Sequence, residues 1–337
     1  MIRLLVVDDS AVMRQAMIAI GRAARDIAVT VAADPLIAQA KVERETFDVV
    51  LLDVEMPRMD GLTYLRKLMS ERPLPVIVCS ALAGRGTEVA LRALEEGAVD
   101  IVEKPKVSLH EFLSESSVRL VDAIRGAATA RLRRRAVRAA PPLAMPLRRT
   151  SAKIVAIGAS TGGTEALREI LEAMPPEAPG MVIVQHMPER FTAAFAERLD
   201  TTCRIQVKEA ADGDRISAGR ALIAPGNRHV LVVRDGAQYR VQLSDGPLVS
   251  RHRPSVDVLF RSVAQSAGPN AVGVILTGMG SDGAAGMAEL AESGAVTLAQ
   301  DETTSVVFGM PGAAIARGAV RFVHPLHGIA PAILSHM

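Results

Sequence analysis

Ser160 lies in Gly158-Ala-Ser-Thr-Gly-Gly163, directly after the aliphatic run Ile154–Ile157. A serine between glycines at a strand-to-helix turn can hold its hydroxyl clear of the backbone, which is the geometry a nucleophile needs. The same segment also fits a glycine-rich turn that binds a phosphate, so the serine needs supporting groups before it reads as a nucleophile. A serine hydroxyl is a poor nucleophile at neutral pH and requires a base. His186 is the best placed of the histidines, because it ends the strand-like Val182–Gln185. A histidine base in turn wants an acid that fixes its tautomer. Asp282 offers one, on the turn Thr277-Gly-Met-Gly-Ser-Asp-Gly283 after the run Val272–Leu276. Three strand ends on one edge of a parallel sheet bring Ser160, His186 and Asp282 together. The order Ser…His…Asp differs from the Ser…Asp…His of α/β-hydrolases, so the elbow does not bring that fold with it.

The other histidines of this half carry less. His229 follows Pro225-Gly-Asn227 and is expected in a solvated turn; His252 sits in Arg251-His-Arg253, expected as a basic surface patch. His324 and His327 are spaced i,i+3, with His336 further on, but no third Cys or Glu ligand is near, and catalytic zinc takes three protein ligands. Gly278-x-Gly280-x-x-Gly283 also matches a dinucleotide-binding fingerprint, with Asp301 at about the twenty-residue offset. Asp282 weighs against that reading, since a carboxylate at the helix N-terminus would repel the pyrophosphate that belongs there.

A second group of reactive side chains lies in the first half. Asp8 and Asp9 end the run Leu4–Val7, Asp53 ends Val49–Leu52, Ser80 ends Val76–Cys79, and Lys104-Pro105 follows Ile101–Val102. In a parallel α/β sheet the strand C-termini share the ligand-binding edge. Three carboxylates there repel one another unless a hard cation sits among them, and Mg²⁺ suits a few carboxylates with waters and a phosphate. A hydroxyl and an ammonium on the same edge can both contact a phosphoryl group.

These groups need elements to hold them. Short aliphatic runs alternate with amphipathic stretches such as Leu62-Leu65-Leu68-Met69 through residues 1–125, and the alternation resumes at Lys153. That pattern predicts α/β architecture in both halves: a flavodoxin-like sheet first, then a doubly wound, mostly parallel one. The chain has 337 residues, enough for two domains. Domain boundaries are expected at 1–125, 126–150 and 151–337, the middle segment being rich in Arg and Pro and free of acids. With hydrophobic residues at 49% and aromatics at 3%, the cores must be aliphatic. A net charge of +2 gives no global drive toward polyanions. A DNA-binding regulator, suggested by the arginine-rich segment, lacks a helix-turn-helix candidate after residue 150. No apolar run approaches the ~20 residues of a membrane span. Cys79 and Cys203 fall in different predicted domains, which argues against a disulfide and for a cytoplasmic protein.

Two resemblances join these observations. Residues 1–122 resemble a response-regulator receiver domain through Asp8-Asp9-Ser10, Asp53-Val-Glu-Met-Pro-Arg-Met-Asp-Gly61, Ser80-Ala81 and Lys104-Pro105. The resemblance implies phosphorylation of Asp53, Mg²⁺ at Asp9 and Asp53 with Asp8 nearby, and switch roles for Ser80 and Lys104. Ile101 stands where such domains often carry an aromatic switch residue. Residues 153 to about 325 resemble the catalytic domain of the chemotaxis protein-glutamate methylesterases, the CheB family. The matching segments are Gly158–Gly163, Gln185-His-Met-Pro188, Ala224-Pro-Gly226, Arg253-Pro-Ser-Val-Asp257, Thr277–Gly283 and Val307-Phe-Gly-Met-Pro311. This resemblance implies a triad of Ser160, His186 and Asp282, Thr161 beside the nucleophile, and the Met279 N–H in the oxyanion hole. It implies no cofactor in that domain. The implied substrates are γ-glutamyl methyl esters on the cytoplasmic helices of methyl-accepting chemoreceptors, and the same acyl chemistry permits deamidation of receptor glutamines. The implied phosphodonor is a histidine kinase of the CheA type; neither nucleic acid nor membrane insertion is expected. The unphosphorylated receiver is expected to cover the catalytic edge and to loosen on phosphorylation.

Overall fold

A computed structural model describes residues 1–56, 60–80, 85–104, 116–132 and 153–337. The motif residues Pro57, Arg58, Met59, Ala81 and Pro105 lie outside the described residues, as does segment 133–150, the greater part of the expected linker. The chain divides into two compact units, Met1–Arg134 and Arg135–Met337.

The first unit runs β1 (Ile2–Val7), α1 (Ala11–Ala24), β2 (Ile27–Ala32), α2 (Pro35–Arg44), β3 (Val49–Asp53), α3 (Gly61–Glu71), β4 (Val76–Ser80), α4 (Arg85–Glu95), β5 (Asp100–Glu103) and α5 (Ser116–Ala128). Its strands form one parallel sheet in the order β2-β1-β3-β4-β5. Every residue of β3 and β4 is buried. Helices cover both faces of such a sheet, so its inner strands are continuous apolar runs instead of alternating ones. Strand order reverses between β1 and β3, and ligands bind in the crevice at such a switch point. α5 continues to Ala128, so the first residues of the Arg/Pro-rich segment extend that helix.

The second unit runs β6 (Ile154–Ala159), α6 (Gly163–Glu172), β7 (Gly180–Gln185), α7 (Glu189–Thr202), β8 (Gln206–Glu209), β9 (Arg215–Ile216), β10 (Arg220–Ile223), β11 (His229–Asp235), β12 (Gln238–Ser244), α8 (Val256–Ser266), β13 (Ala271–Ile275), α9 (Ala284–Glu292), β14 (Val296–Gln300), α10 (Met310–Ala316), β15 (Phe322–His324) and α11 (Leu326–Ser335). Seven strands make a parallel sheet in the order β15-β14-β13-β6-β7-β10-β8. The run Val230–Val233 reads in sequence as one more strand of the alternation. In the structure it belongs to β11, in a separate antiparallel sheet ordered β11-β12-β9. The reason is β12: Tyr239 and Val241 are buried while Gln242 between Val241 and Leu243 is exposed, the period-two pattern of a half-covered hairpin. β11 packs on α8, whose Val256, Leu259, Phe260 and Val263 join the core under the main sheet. No helix among the described residues is long and apolar enough to cross a membrane.

Candidate active site and phosphorylation site

The chain crosses over at β6, with β7 on one side and β13 on the other. Ala159 pairs with Gln185 and Gly158 with Ile275, so Ser160, His186 and the turn after β13 leave adjacent strand ends. The ladders continue one step into the loops. The Ser160 N–H donates to the Thr277 carbonyl at 3.0 Å, and the His186 N–H donates to the Ala159 carbonyl at 3.1 Å. The Gln185 carboxamide lies between them, donating to the Ser160 carbonyl at 3.0 Å and the His186 carbonyl at 3.1 Å. Gly162 then turns the chain into α6 at φ +76, a left-handed conformation that L side chains rarely adopt, with Val306 packed where a Cβ would stand. Gly278 passes so close to Ser160 that a Cβ there would lie 2.7 Å from the Ser160 Cβ.

His186 Nε2 lies 2.8 Å from Asp282 Oδ2. Asp282 is 2% exposed and accepts three further hydrogen bonds: from Ser255 Oγ at 2.7 Å, the Val256 N–H at 2.8 Å and the Asp257 N–H at 3.1 Å. Ser255 is the N-cap residue of α8, yet its hydroxyl makes no cap bond of its own. It donates to Asp282 instead, and the Asp282 carboxylate accepts the orphan N–H groups of α8. Burial works to raise the Asp282 pKa. The His186 bond and charge, the Ser255 hydroxyl and the Val256 N–H outweigh it and hold the carboxyl well below the usual range.

With Nε2–H committed to Asp282, the imidazole's lone pair belongs on Nδ1. His186 Nδ1 is buried and has no hydrogen-bond partner. The site thus holds an oriented imidazole whose free nitrogen is the basic one. Ser160 is almost buried, at 9% exposure, and Thr161 beside it is fully so. Thr161 offers its carbonyl to Thr277 Oγ1 at 3.0 Å. The Gly278 peptide is anchored on both sides: its N–H donates to the Val307 carbonyl, and its carbonyl accepts from the Gly309 and Met310 N–H groups. Met279 follows on the half-exposed rim of the turn.

Two expectations about histidines need correction. His229 is buried, not solvated: Nε2 donates to the Pro247 carbonyl at 2.8 Å and Nδ1 accepts the Ser255 N–H at 3.2 Å. It clamps the residue that holds Asp282. His252 is half-buried and faces inward: its ring stacks on His186 with centroids 3.8 Å apart and planes within 7°, although Arg251 beside it is exposed. Arg253 in the same triplet is spent within the unit, on Asn227 Oδ1 and the carbonyls of Asp245 and Gly246. Ser255 was within reach of sequence reasoning, as a serine directly before the apolar run of α8. The roles of His229 and His252 depend on distant partners and have no local signal.

In the first unit Asp8, Asp9 and Asp53 present carboxylate oxygens within 4.8 Å of one another. Lys104 Nζ lies 2.5 Å from Asp53 Oδ2 and 3.2 Å from Asp8 Oδ2. The remaining oxygens accept backbone N–H groups, Asp8 Oδ1 from Ser10 and Asp53 Oδ1 from Glu55, both at 2.8 Å. Burial is the main reason the Asp8 pKa is raised; the Asp53 charge adds to it, and Lys104 and the Ser10 N–H act against it. Burial works to lower the Lys104 pKa, but the bond to Asp53 and the charges of Asp53 and Asp8 prevail and raise it. Ser80 is fully buried at the end of β4, and its carbonyl accepts the Lys104 N–H at 2.8 Å. Ile101 is buried in β5. Three hard oxygen donors at one edge, balanced by an ammonium, fit a small divalent cation. His324 and His327 join no such group among the described residues.

Both units match known protein families. Residues 155–333 match the family model described as CheB methylesterase, and residues 4–114 match that of the response regulator receiver domain. A curated relative from Geobacter metallireducens is 56% identical over 99% of this chain and 98% of its own length. One from Anaeromyxobacter dehalogenans is 58% identical over 99% and 96%. Both are named protein-glutamate methylesterase/protein-glutamine glutaminase. Among solved structures, the Thermotoga maritima CheB methylesterase catalytic domain is 37% identical, covers 56% of this chain and all of its own, and has a TM-score of 0.54. With a receiver domain in front of a methylesterase domain, and relatives matched from end to end, the chain belongs to the CheB methylesterase family.

Proposed function

We propose that this protein hydrolyses γ-glutamyl methyl esters on the cytoplasmic helices of chemoreceptors, and deamidates receptor glutamines by the same route. The observation that carries the reading is the state of His186. Its Nε2 is held by a buried, four-fold bonded carboxylate, while its Nδ1 is buried and unpartnered, and His186 leaves the strand end next to that of Ser160. In the first step Ser160 Oγ attacks the ester carbonyl and its proton passes to His186 Nδ1. Asp282 stabilises the imidazolium, and the Met279 N–H faces the oxyanion, with Thr161 beside the nucleophile. His186 returns the proton to the leaving methoxide, or to the leaving amide nitrogen when glutamine is the substrate. Water then gives its proton to Nδ1 and attacks the acyl-serine; as the acyl–Oγ bond breaks, His186 returns that proton to Ser160 Oγ and the glutamate is released. The hydrogen bond between Ser160 and His186 is not made in the resting site, and such bonds commonly tighten only when substrate binds.

The receiver supplies control. A histidine kinase of the CheA type transfers a phosphoryl group to Asp53. Asp9 and Asp53, with Asp8, would hold Mg²⁺, which neutralises phosphoryl oxygens when bound. Lys104 pairs with the new charge, and Ser80 moves to meet it. The functional units are the receiver over 1–125, the Arg/Pro-rich linker over 126–150 and the catalytic domain over 151–337, and the whole protein works in the cytoplasm. Methanol release from methyl-labelled receptor membranes tests the reading: wild type should release it and Ser160→Ala should not. Folded wild-type protein that releases none would overturn the proposal.

A further inference from the structure

The segment after β12 is built to place one ring. Val249 and His252 face each other across a two-residue turn, with the Val249 N–H donating to the His252 carbonyl at 3.1 Å and the reverse bond at 2.8 Å. The two central residues, Ser250 and Arg251, are both left-handed, at φ 51 and 67. Neither is glycine, asparagine or aspartate, the residues that accept this conformation with little strain. Backbone strain of this kind persists where surrounding structure over-determines it, and it clusters at functional sites. Here the surroundings do so. Ser250 Oγ donates to Asp257 Oδ2 at 3.2 Å, and Arg253 ties the next residue to the Asp245 and Gly246 carbonyls. The Asp257 N–H also donates to Asp282 Oδ1. Asp257 therefore holds the turn that carries His252 with its side chain and the acid that orients His186 with its main chain.

The product of this arrangement is the face-to-face stack of His252 on His186. The Asp282 bond fixes where Nε2 points but leaves the ring free to swing about that bond. A flat partner 3.8 Å away removes that freedom and fixes the plane in which Nδ1 lies. We infer that His252 is a positioning residue that holds the His186 ring in the plane from which Nδ1 reaches Ser160. This rests on the esterase reading above.

The experiment compares His252→Phe with His252→Leu in the full chain. Phenylalanine keeps a flat ring and discards the nitrogens; leucine keeps apolar bulk and discards the plane. Methanol release from methyl-labelled receptor membranes should show kcat about 10–100-fold lower for leucine, a range typical of mispositioned catalytic groups. KM should change less than about twofold, and phenylalanine should restore kcat to within about threefold of wild type. Leucine at wild-type kcat, or equal losses in both variants, would overturn the inference while the wild-type rate still upholds the esterase. A second readout does not need turnover. Nitrogen-15 relaxation of the His186 ring in the Ser160→Ala background should report a rigid ring when His252 is retained and in His252→Phe, and added ring motion in His252→Leu, with the Nε2–H tautomer that Asp282 sets kept in all three. Equal ring rigidity in all three would overturn the inference even if the substrate class were wrong.

Discussion

Asp282→Asn probes the acid of the site. The carboxylate serves its donors in pairs: Oδ2 accepts from His186 Nε2 and the Val256 N–H, Oδ1 from Ser255 Oγ and the Asp257 N–H. An amide accepts on one side only. With its NH₂ on the Oδ2 side it confronts the Val256 N–H and makes His186 accept at Nε2, which moves the imidazole proton onto Nδ1. With its NH₂ on the Oδ1 side, the Ser255 hydroxyl can rotate to accept. Only the Asp257 N–H, the longest of the four contacts at 3.1 Å, is then left over. The second orientation strands one buried N–H at about 1–3 kcal/mol and keeps His186 in its basic tautomer. It still lacks the negative charge that faces the imidazolium of the transition state. Unit charges about 4 Å apart at an effective dielectric of about 20 interact by about 4 kcal/mol. That corresponds to about 10³-fold in rate. Single-turnover methanol release should fall by about that factor, and urea unfolding should show about 1–3 kcal/mol lost. Acid titration should differ as well. The Asp282 carboxyl is held below its ordinary value, so its contribution to stability is present above the unfolded pKa of about 4 and disappears as pH falls. The asparagine variant should therefore lose less stability on acidification below about pH 4. A single-turnover rate within tenfold of wild type would refute the role given to Asp282.

Further tests reach other parts of the molecule. Gly162→Ala forces a Cβ onto a φ of +76 and into Val306, so unfolding free energy should drop by about 1–3 kcal/mol. Adding Val306→Ala should recover only part of the loss, and an unchanged urea midpoint would contradict the elbow geometry. Asp8 has a folded pKa above its unfolded value, so its ionised form costs stability at pH 7 and that cost fades as pH falls through the folded value. Asp8→Asn should accordingly increase hydrogen-exchange protection of β1 and β3 in the metal-free full chain, while weakening protection gained from Mg²⁺; lower metal-free protection would show that pairing with Lys104 matters more than burial. A small phosphodonor should raise methanol release by wild type and leave Asp53→Ala at its basal rate. A rise in that variant would place the regulatory phosphoryl group elsewhere.

Much of this architecture was legible in the sequence because parallel α/β sheets put chemistry at strand ends. Aliphatic runs located β1, β3 and β4 and also β6, β7 and β13, and the reactive residues directly after them had to share an edge. Ser160, His186 and Asp282 could be brought together on that ground alone. The hairpin of β11 and β12 was hidden, since Val230–Val233 has the same composition as a buried parallel strand and only its alternating partner differs. His229 could not be recognised as a clamp, because a histidine is buried or solvated according to acceptors and donors contributed by Pro247 and Ser255. His252 was obscured by the arginines on either side. Its stack depends on left-handed conformations at Ser250 and Arg251, residue types that announce no such turn. Asp282 was expected at the start of α9, and its second task as the cap of α8 arises from packing of elements far apart in sequence.

In this mechanism everything depends on Ser160 being an activated nucleophile. A fluorophosphonate probe, which reacts with serine hydroxyls that have an effective base, tests it directly when the labelled peptide is identified by mass spectrometry. The full chain should be labelled once, at Ser160, with labelling lost in Ser160→Ala and slowed by orders of magnitude in His186→Ala and Asp282→Asn. Labelling at another residue, or at Ser160 with no dependence on His186 and Asp282, would contradict the account.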